Sequence, residues 1–580
     1  MRIRCMLAVW LMGLALATPA AAETPDLLRL VPAQADLLVK VEQPRRLVES
    51  VLNHPLIKDL YQIDAIRDLY SSTNARRFDQ LIAYFEKRLG VDRLEMIDHL
   101  AGGGTAVAVR FERLNNKKSP VLLAVQAKDE PMLHRFFQVG LEIIEQELAR
   151  QEAKDHLAKR TYRDIEIVDI GEEFHAAVVG SALLIGNVAE AVERGIDQHL
   201  GGGKNSLAGM DSVADARKLA NPDPLVWMWL NLETARKGPP LKDLLAGGNP
   251  VLTAVAGPVL DIVRRSPFLC ATVQAQEHGV VLSFRMPRGR DEMPAELAGL
   301  LPAPGEPGSR PLLKPQGVLY STSYFLDLAK LWDNRAKLLN EEQLKALDAF
   351  EVKSGRFLAG TRLNTLLNAV GPYQRVVVAH QAKTGYKTPP GQYVPAFAFV
   401  LEMREPDLFS KRAETILRGA ALLATTQLPF RSMEEKHGAH RIVAYRFSED
   451  AKVKGDTNNI RFNFSPCFVS VGNQFVISSN LELCHELIDL LEKEAAHPES
   501  AGPSPPLQTQ IFAVGGTALL DTFKDRLFTQ TILDQAIPPE RAKQQVQAFT
   551  DWVRRLGSLR LETDYGREDF RYDIRLKTAD

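Results

Sequence analysis

The side chains best suited to chemistry fall in a few short stretches. Asp169, Glu172, Glu173 and His175 crowd the end of one apolar segment and the start of the next. Carboxylates around an imidazole are what general acid–base catalysis uses. A solvated turn joining two strands has the same composition, and that reading is favoured, so no catalytic residue is assigned. Trp227-Met-Trp229 lies in a strand-like run, where alternation puts both indoles on one face. Open to solvent, Trp227 and Trp229 would form a stacking platform for a carbohydrate or aromatic ligand, which makes them the candidate ligand-binding residues. Covered, they are simply a core face, the preferred of the two readings.

The familiar local signatures are missing. A phosphate-binding loop needs glycine five positions before its Gly-Lys pair and Ser or Thr after it. Gly203-Lys204 has Gln198 and Asn205 there, so the glycine run reads as a helix end and loop. Neither Gly-x-Ser-x-Gly nor Ser-x-x-Lys occurs. His437 and His440 share a loop, Cys484 and His485 are adjacent, and no local set offers the three or four convergent ligands that zinc requires. Neither a metal nor a cofactor is expected. Cys270, Cys467 and Cys484 follow Cys5 in the chain. The preferred reading is buried free thiols, with a Cys467–Cys484 bridge left open.

Composition sets the wider bounds. The 580 residues carry 71 Lys plus Arg against 72 Asp plus Glu, and 45% are hydrophobic. That is ordinary globular composition for several domains, with no electrostatic drive toward nucleic acid. Arg2 and Arg4, the apolar run Met6 to Ala17 and the small residues Ala20 to Ala22 form a signal-peptide pattern over residues 1–22. An exported protein, periplasmic or extracellular, is expected. An uncleaved anchor is the open alternative, although the run is shorter than the ~20 residues a span needs. No later stretch is apolar enough for a transmembrane span after signal cleavage.

The elements that would position these side chains recur in order. Thr105-Ala-Val-Ala-Val and Pro120-Val-Leu-Leu-Ala-Val are matched by Arg375-Val-Val-Val-Ala and Pro395-Ala-Phe-Ala-Phe-Val. Glu130-Pro131 and Glu405-Pro406 then each open a helix, proline at the first turn losing no useful N–H. Leu133, Phe136, Phe137, Leu141, Ile144 and Leu148 make one apolar face on the first of these. Gly180-Ser181 and Gly472-Asn473 each separate two apolar runs, a two-residue hairpin signal. The expected fold is α+β, two repeated units of mainly antiparallel sheet with helices packed on one face. The units span 23–286 and 318–580, joined through a linker at 287–317 that carries seven prolines.

Leu30-Val-Pro-Ala-Gln-Ala-Asp-Leu-Leu, Tyr162-Arg-Asp-Ile-Glu-Ile, Ala176 to Asn187 and Gly201-Gly-Gly-Lys-Asn-Ser-Leu together resemble an uncharacterised family of exported bacterial proteins, the domain of unknown function numbered thirty-three fifty-two. The likeness covers most of 29–290 and, more weakly, the second half. It implies the architecture and brings no activity, cofactor or site residue. The functional expectation is therefore a non-enzymatic binding or interaction module of the cell envelope, whose partner is an unknown envelope protein or an apolar ligand. The alternative is an envelope hydrolase with a dispersed active site.

Overall fold

The computed structural model describes residues 26–579, except 62, 64–65, 68–70, 113–118, 151, 153–156, 247–249, 356–357, 359, 426–427, 457 and 498–503. The signal-peptide pattern lies outside the described residues. The described residues form two compact units, one of 26–48 with 79–215, the other of 49–78 with 216–579.

In the first unit, β1 (Leu37–Val41), β2 (Thr105–Val109), β3 (Val121–Gln126), β4 (Leu157–Tyr162), β5 (Ile165–Ile170), β6 (Phe174–Val179) and β7 (Ala182–Gly186) form an antiparallel sheet. Its spatial order is β1-β2-β3-β7-β6-β5-β4. Gly180 takes φ +55° at the β6–β7 turn, as the hairpin signal requires.

The second unit contains β8 (Val226–Asn231), β9 (Phe268–Gln276), β10 (Gly279–Met286), β11 (Val318–Phe325), β12 (Val370–Ala379), β13 (Ala396–Met403), β14 (Phe430–His437), β15 (His440–Phe447), β16 (Cys467–Val471), β17 (Gln474–Ser478), β18 (Leu507–Phe512), β19 (Ser558–Tyr565) and β20 (Phe570–Lys577). The run β11-β12-β13-β17-β16-β15-β14 repeats the order of the first unit's sheet, and Gly472 again takes φ +55°. The meanders β8-β9-β10 and β18-β19-β20 also match each other. They join edge to edge, from Gly279 opposite Lys577 to Met286 opposite Phe570.

The α+β class holds, but helices stand on both sheet faces, not one. In the first unit, Met96, Leu100, Leu133 and Val139 pack with Leu183, Val125 and Ile185. Helix Ala189–Leu200 takes the opposite face, so close that a Cβ on Gly195 would meet Leu184 Cδ1 at 2.8 Å. The second unit repeats this. Helix Pro406–Thr425 lays Phe409 and Ala413 on Phe468 and Phe475, while helix Leu481–Ala496 lays Leu483, Leu487 and Leu491 on Val469 and Val476. Neighbouring strand residues face opposite ways, and here both faces are apolar, so each needs a cover.

The proline-rich segment 287–317 lies within the second unit and is packed there. Leu300, Leu301 and Leu313 are buried, and Tyr373 Oη donates to Pro307 O at 2.8 Å. Proline composition sets stiffness and removes donors. It does not keep interspersed leucines in water.

Candidate functional site

The second unit's sheet is amphipathic across its middle. Directly opposed residues share a face, and one cross-strand row runs Val280, Leu576, Leu559, Ile511, Tyr320, Val378, Phe397. The next row on that face is Leu282, Ile574, Leu561, Thr509, Thr322, Val376, Phe399. Seven strands at their usual spacing make this surface roughly 30 Å wide. No member of either row is charged. No member of the first row is buried, and Ile511 is 44% and Phe397 45% exposed. In the second row only Thr322 is buried, while Phe399 is 43% exposed.

The reverse face is polar. Its central row is Ser283, Asp573, Glu562, Gln508, Ser323, Arg375. Arg285 reaches Asp573 at 2.6 Å, Arg575 reaches it at 3.0 Å, and Arg560 reaches Glu562 at 2.7 Å. Burial pushes the Asp573 carboxyl up, but the hydrogen bonds from Arg285 and Ser283 and the Arg285 charge hold it below the usual range. A depressed folded value means stability present above the unfolded pKa of about 3.9 and lost as pH falls through the folded one. In urea unfolding across the acid range, the stability gap between wild type and Asp573→Asn is therefore expected to narrow below about pH 4. A gap that stays constant would show that the carboxylate's charge contributes nothing.

Further along this face Arg375 is 1% exposed, donating to Glu494 at 2.5 Å, Gln474 Oε1 at 3.2 Å and Pro311 O at 3.2 Å. Beside it Arg310 holds Glu402 at 2.6 Å. Arg310, Arg375, Gln474 and Glu494, with His440 and Glu492 at 2.9 Å, line a cleft of about 410 Å³. Each charge there already has an opposite partner, and the cleft's described lining includes no serine, threonine or cysteine.

The acid–base cluster assembles in part. His175 Nδ1 lies 2.6 Å from Asp169, which also takes Arg160 at 2.8 Å, and Arg160 reaches Glu193 at 2.8 Å. Glu172 and Glu173 are exposed at the turn. The matching positions of the second unit are informative. Asp169 opposes His175, whereas Ala444 opposes Cys467. Where Arg160 meets Glu193 and Tyr162 meets Asp197 at 3.2 Å, Glu435 meets His485 at 3.1 Å and His437 meets Asp489 at 2.7 Å. The contacts that tie a helix to the outer hairpin persist while their chemistry changes. Such a substitution pattern belongs to structural fastening.

The candidate ligand residues Trp227 and Trp229 are 2% and 1% exposed, so the open platform is not formed. Trp229 opposes Cys270, and Arg217 stands over Trp227 at 5.5 Å. Period two placed both indoles on one face correctly; it carries no information on which face is covered. The open apolar face escaped the sequence reading because its rows are assembled from strands far apart in the chain. The only local sign was Phe397 and Phe399 alternating with alanines. Among the described residues, no cluster could hold a metal and no helix is long and apolar enough to cross a membrane.

Residues 99–280 match a protein family described as "Protein of unknown function (DUF3352)", the family the sequence resembles. No curated protein matches the chain. Among solved structures, crystal form I of TP0453 is similar over 46% of this chain and 81% of that one, at 10% identity and TM-score 0.24. Crystal form III is similar over 47% and 82%, at 8% identity and TM-score 0.23.

Proposed function

We propose that the chain is an exported, non-enzymatic binding module of the cell envelope that takes an apolar ligand on the open face of the second unit's sheet. The observation that carries this is the pair of uncharged cross-strand rows from β10 to β13, left partly open while the reverse face is polar and ion-paired. Large exposed apolar patches on soluble domains mark interaction sites. Aliphatic and aromatic side chains without a charge select a hydrocarbon-rich molecule over a polar or ionic one. Two threonines, Thr322 and Thr509, satisfy each other at 2.8 Å and add no charge.

Native mass spectrometry of the protein from its own envelope fraction, prepared without detergent, tests the reading. A reproducible small-molecule adduct is expected, lost on denaturation and absent from an Ile574→Asp variant whose circular dichroism is unchanged. Bare protein in both samples, or an adduct indifferent to Ile574→Asp, sinks it. Fractionation that leaves the protein in the cytoplasm sinks the envelope placement separately.

A further inference from the structure

We propose that Cys467 and Cys484 are an oxidisable pair that closes to an intramolecular disulfide by exchange with a small disulfide oxidant. Cys467 opens β16 and Cys484 sits in the first turn of helix Leu481–Ala496, which packs on that strand. Both side chains belong to one core, at 2% and 0% exposure. Cys467 Sγ donates at 3.4 Å to Asn480 O, the carbonyl that also accepts the Cys484 backbone N–H at 3.3 Å in the helix's first turn, which brings the Cys467 thiol to the backbone of Cys484. Burial and the neighbouring Cys484 thiol both push the Cys467 thiol well above its ordinary value.

A disulfide needs Cβ atoms about 3.5–4.5 Å apart on side chains that face one another. The strand and the helix packed on it place both side chains in the core layer between them. The Asn480 side chain fixes the helix start by accepting from Leu483 N, so the Cys484 position is held in place. The first unit has His175 and Val192 at the matching places, so the packing there does not itself require sulfur. Cys270 lies in β9 opposite Trp229 and is not part of that core, and burial pushes its thiol up to about 11, as burial also pushes up Cys467, so exchange at either is slow at neutral pH.

The exchange balances with oxidised glutathione as the named oxidant. One cysteine thiolate attacks a glutathione sulfur, forming a mixed disulfide and releasing one glutathione thiolate. The second cysteine loses its proton, attacks the bonded protein sulfur and releases the other glutathione. The protein loses two hydrogens, and one glutathione disulfide becomes two thiols.

The test equilibrates the folded protein with oxidised and reduced glutathione, in buffer and in subdenaturing urea so that local opening admits the reagent. Acid quench, denaturation, alkylation and peptide mapping follow. Expected are a two-hydrogen mass loss, a peptide linking Cys467 to Cys484, and, beyond residue 22, alkylation at Cys270 alone, with all three thiols of that part of the chain recovered on reduction. Cys484→Ser should abolish the link. Three alkylated thiols in both conditions overturn the proposal, as do pairings that include Cys270 or a link that survives in Cys484→Ser.

Discussion

Glu494→Ala is expected to lower the unfolding free energy by about 3–5 kcal/mol, and to cost more than Arg375→Met. The two partners of this ion pair are unequally buried, Arg375 at 1% and Glu494 at 25% side-chain exposure. Removing the glutamate strands a guanidinium that cannot reach water, left with the neutral acceptors Gln474 and Pro311. Burial already pulls the Arg375 guanidinium below its ordinary pKa, against the pull of Glu494. Removing the arginine leaves a carboxylate on the last turn of helix Leu481–Ala496 that can turn outward, and methionine fills the vacated space. Urea unfolding of both variants reads the difference. Equal costs, or Arg375→Met as the worse variant, would mean the pair is not organised by burial in this way.

Trp229→Ala is expected to cost a similar amount, about 3–5 kcal/mol, by opening a cavity in a site that cannot collapse onto it. The ring is 1% exposed and its Nε1 is buried without a hydrogen-bond partner among the described residues. Trp229→Phe keeps most of the volume and removes that unsatisfied donor, so its cost should stay below about 1.5 kcal/mol. Thermal or urea unfolding of the two variants distinguishes this from a platform. On an exposed platform both changes would be nearly neutral for stability.

Much of the fold was legible because it rests on local chemistry. The glycines at 180 and 472, the Glu-Pro helix starts and the period-two runs all name elements that are present. What covers an element is a tertiary fact. Leu183 and Leu184 read alike in sequence, yet one meets the helices of one layer and the other meets helix Ala189–Leu200. The same gap misassigned the proline-rich segment, where Leu300, Leu301 and Leu313 outweigh the prolines around them. The open face was not legible for a related reason. Tryptophan and clustered acids catch attention in sequence, but the open apolar surface is built from leucine, isoleucine and valine on strands that meet only in the sheet. A row such as Val280, Leu576, Leu559, Ile511, Tyr320 has no local spacing to recognise.

The edge-to-edge joining of β10 and β20 also sets the timing of folding. Along β10, Gly279 waits for Lys577 and Met286 for Phe570, so the outer edge of that strand stays unsatisfied until residues 570–577, nearly three hundred positions further on, have been synthesised. Long-range antiparallel closure of this kind is slow, and an unpaired apolar edge invites association with other chains meanwhile. A nascent chain lacking β20 would expose the backbone of β10 beside the alternating side chains Val280, Leu282 and Phe284. Shielding by holdase chaperones, or delayed collapse of the upstream meander, is what such a chain needs until β20 has been made.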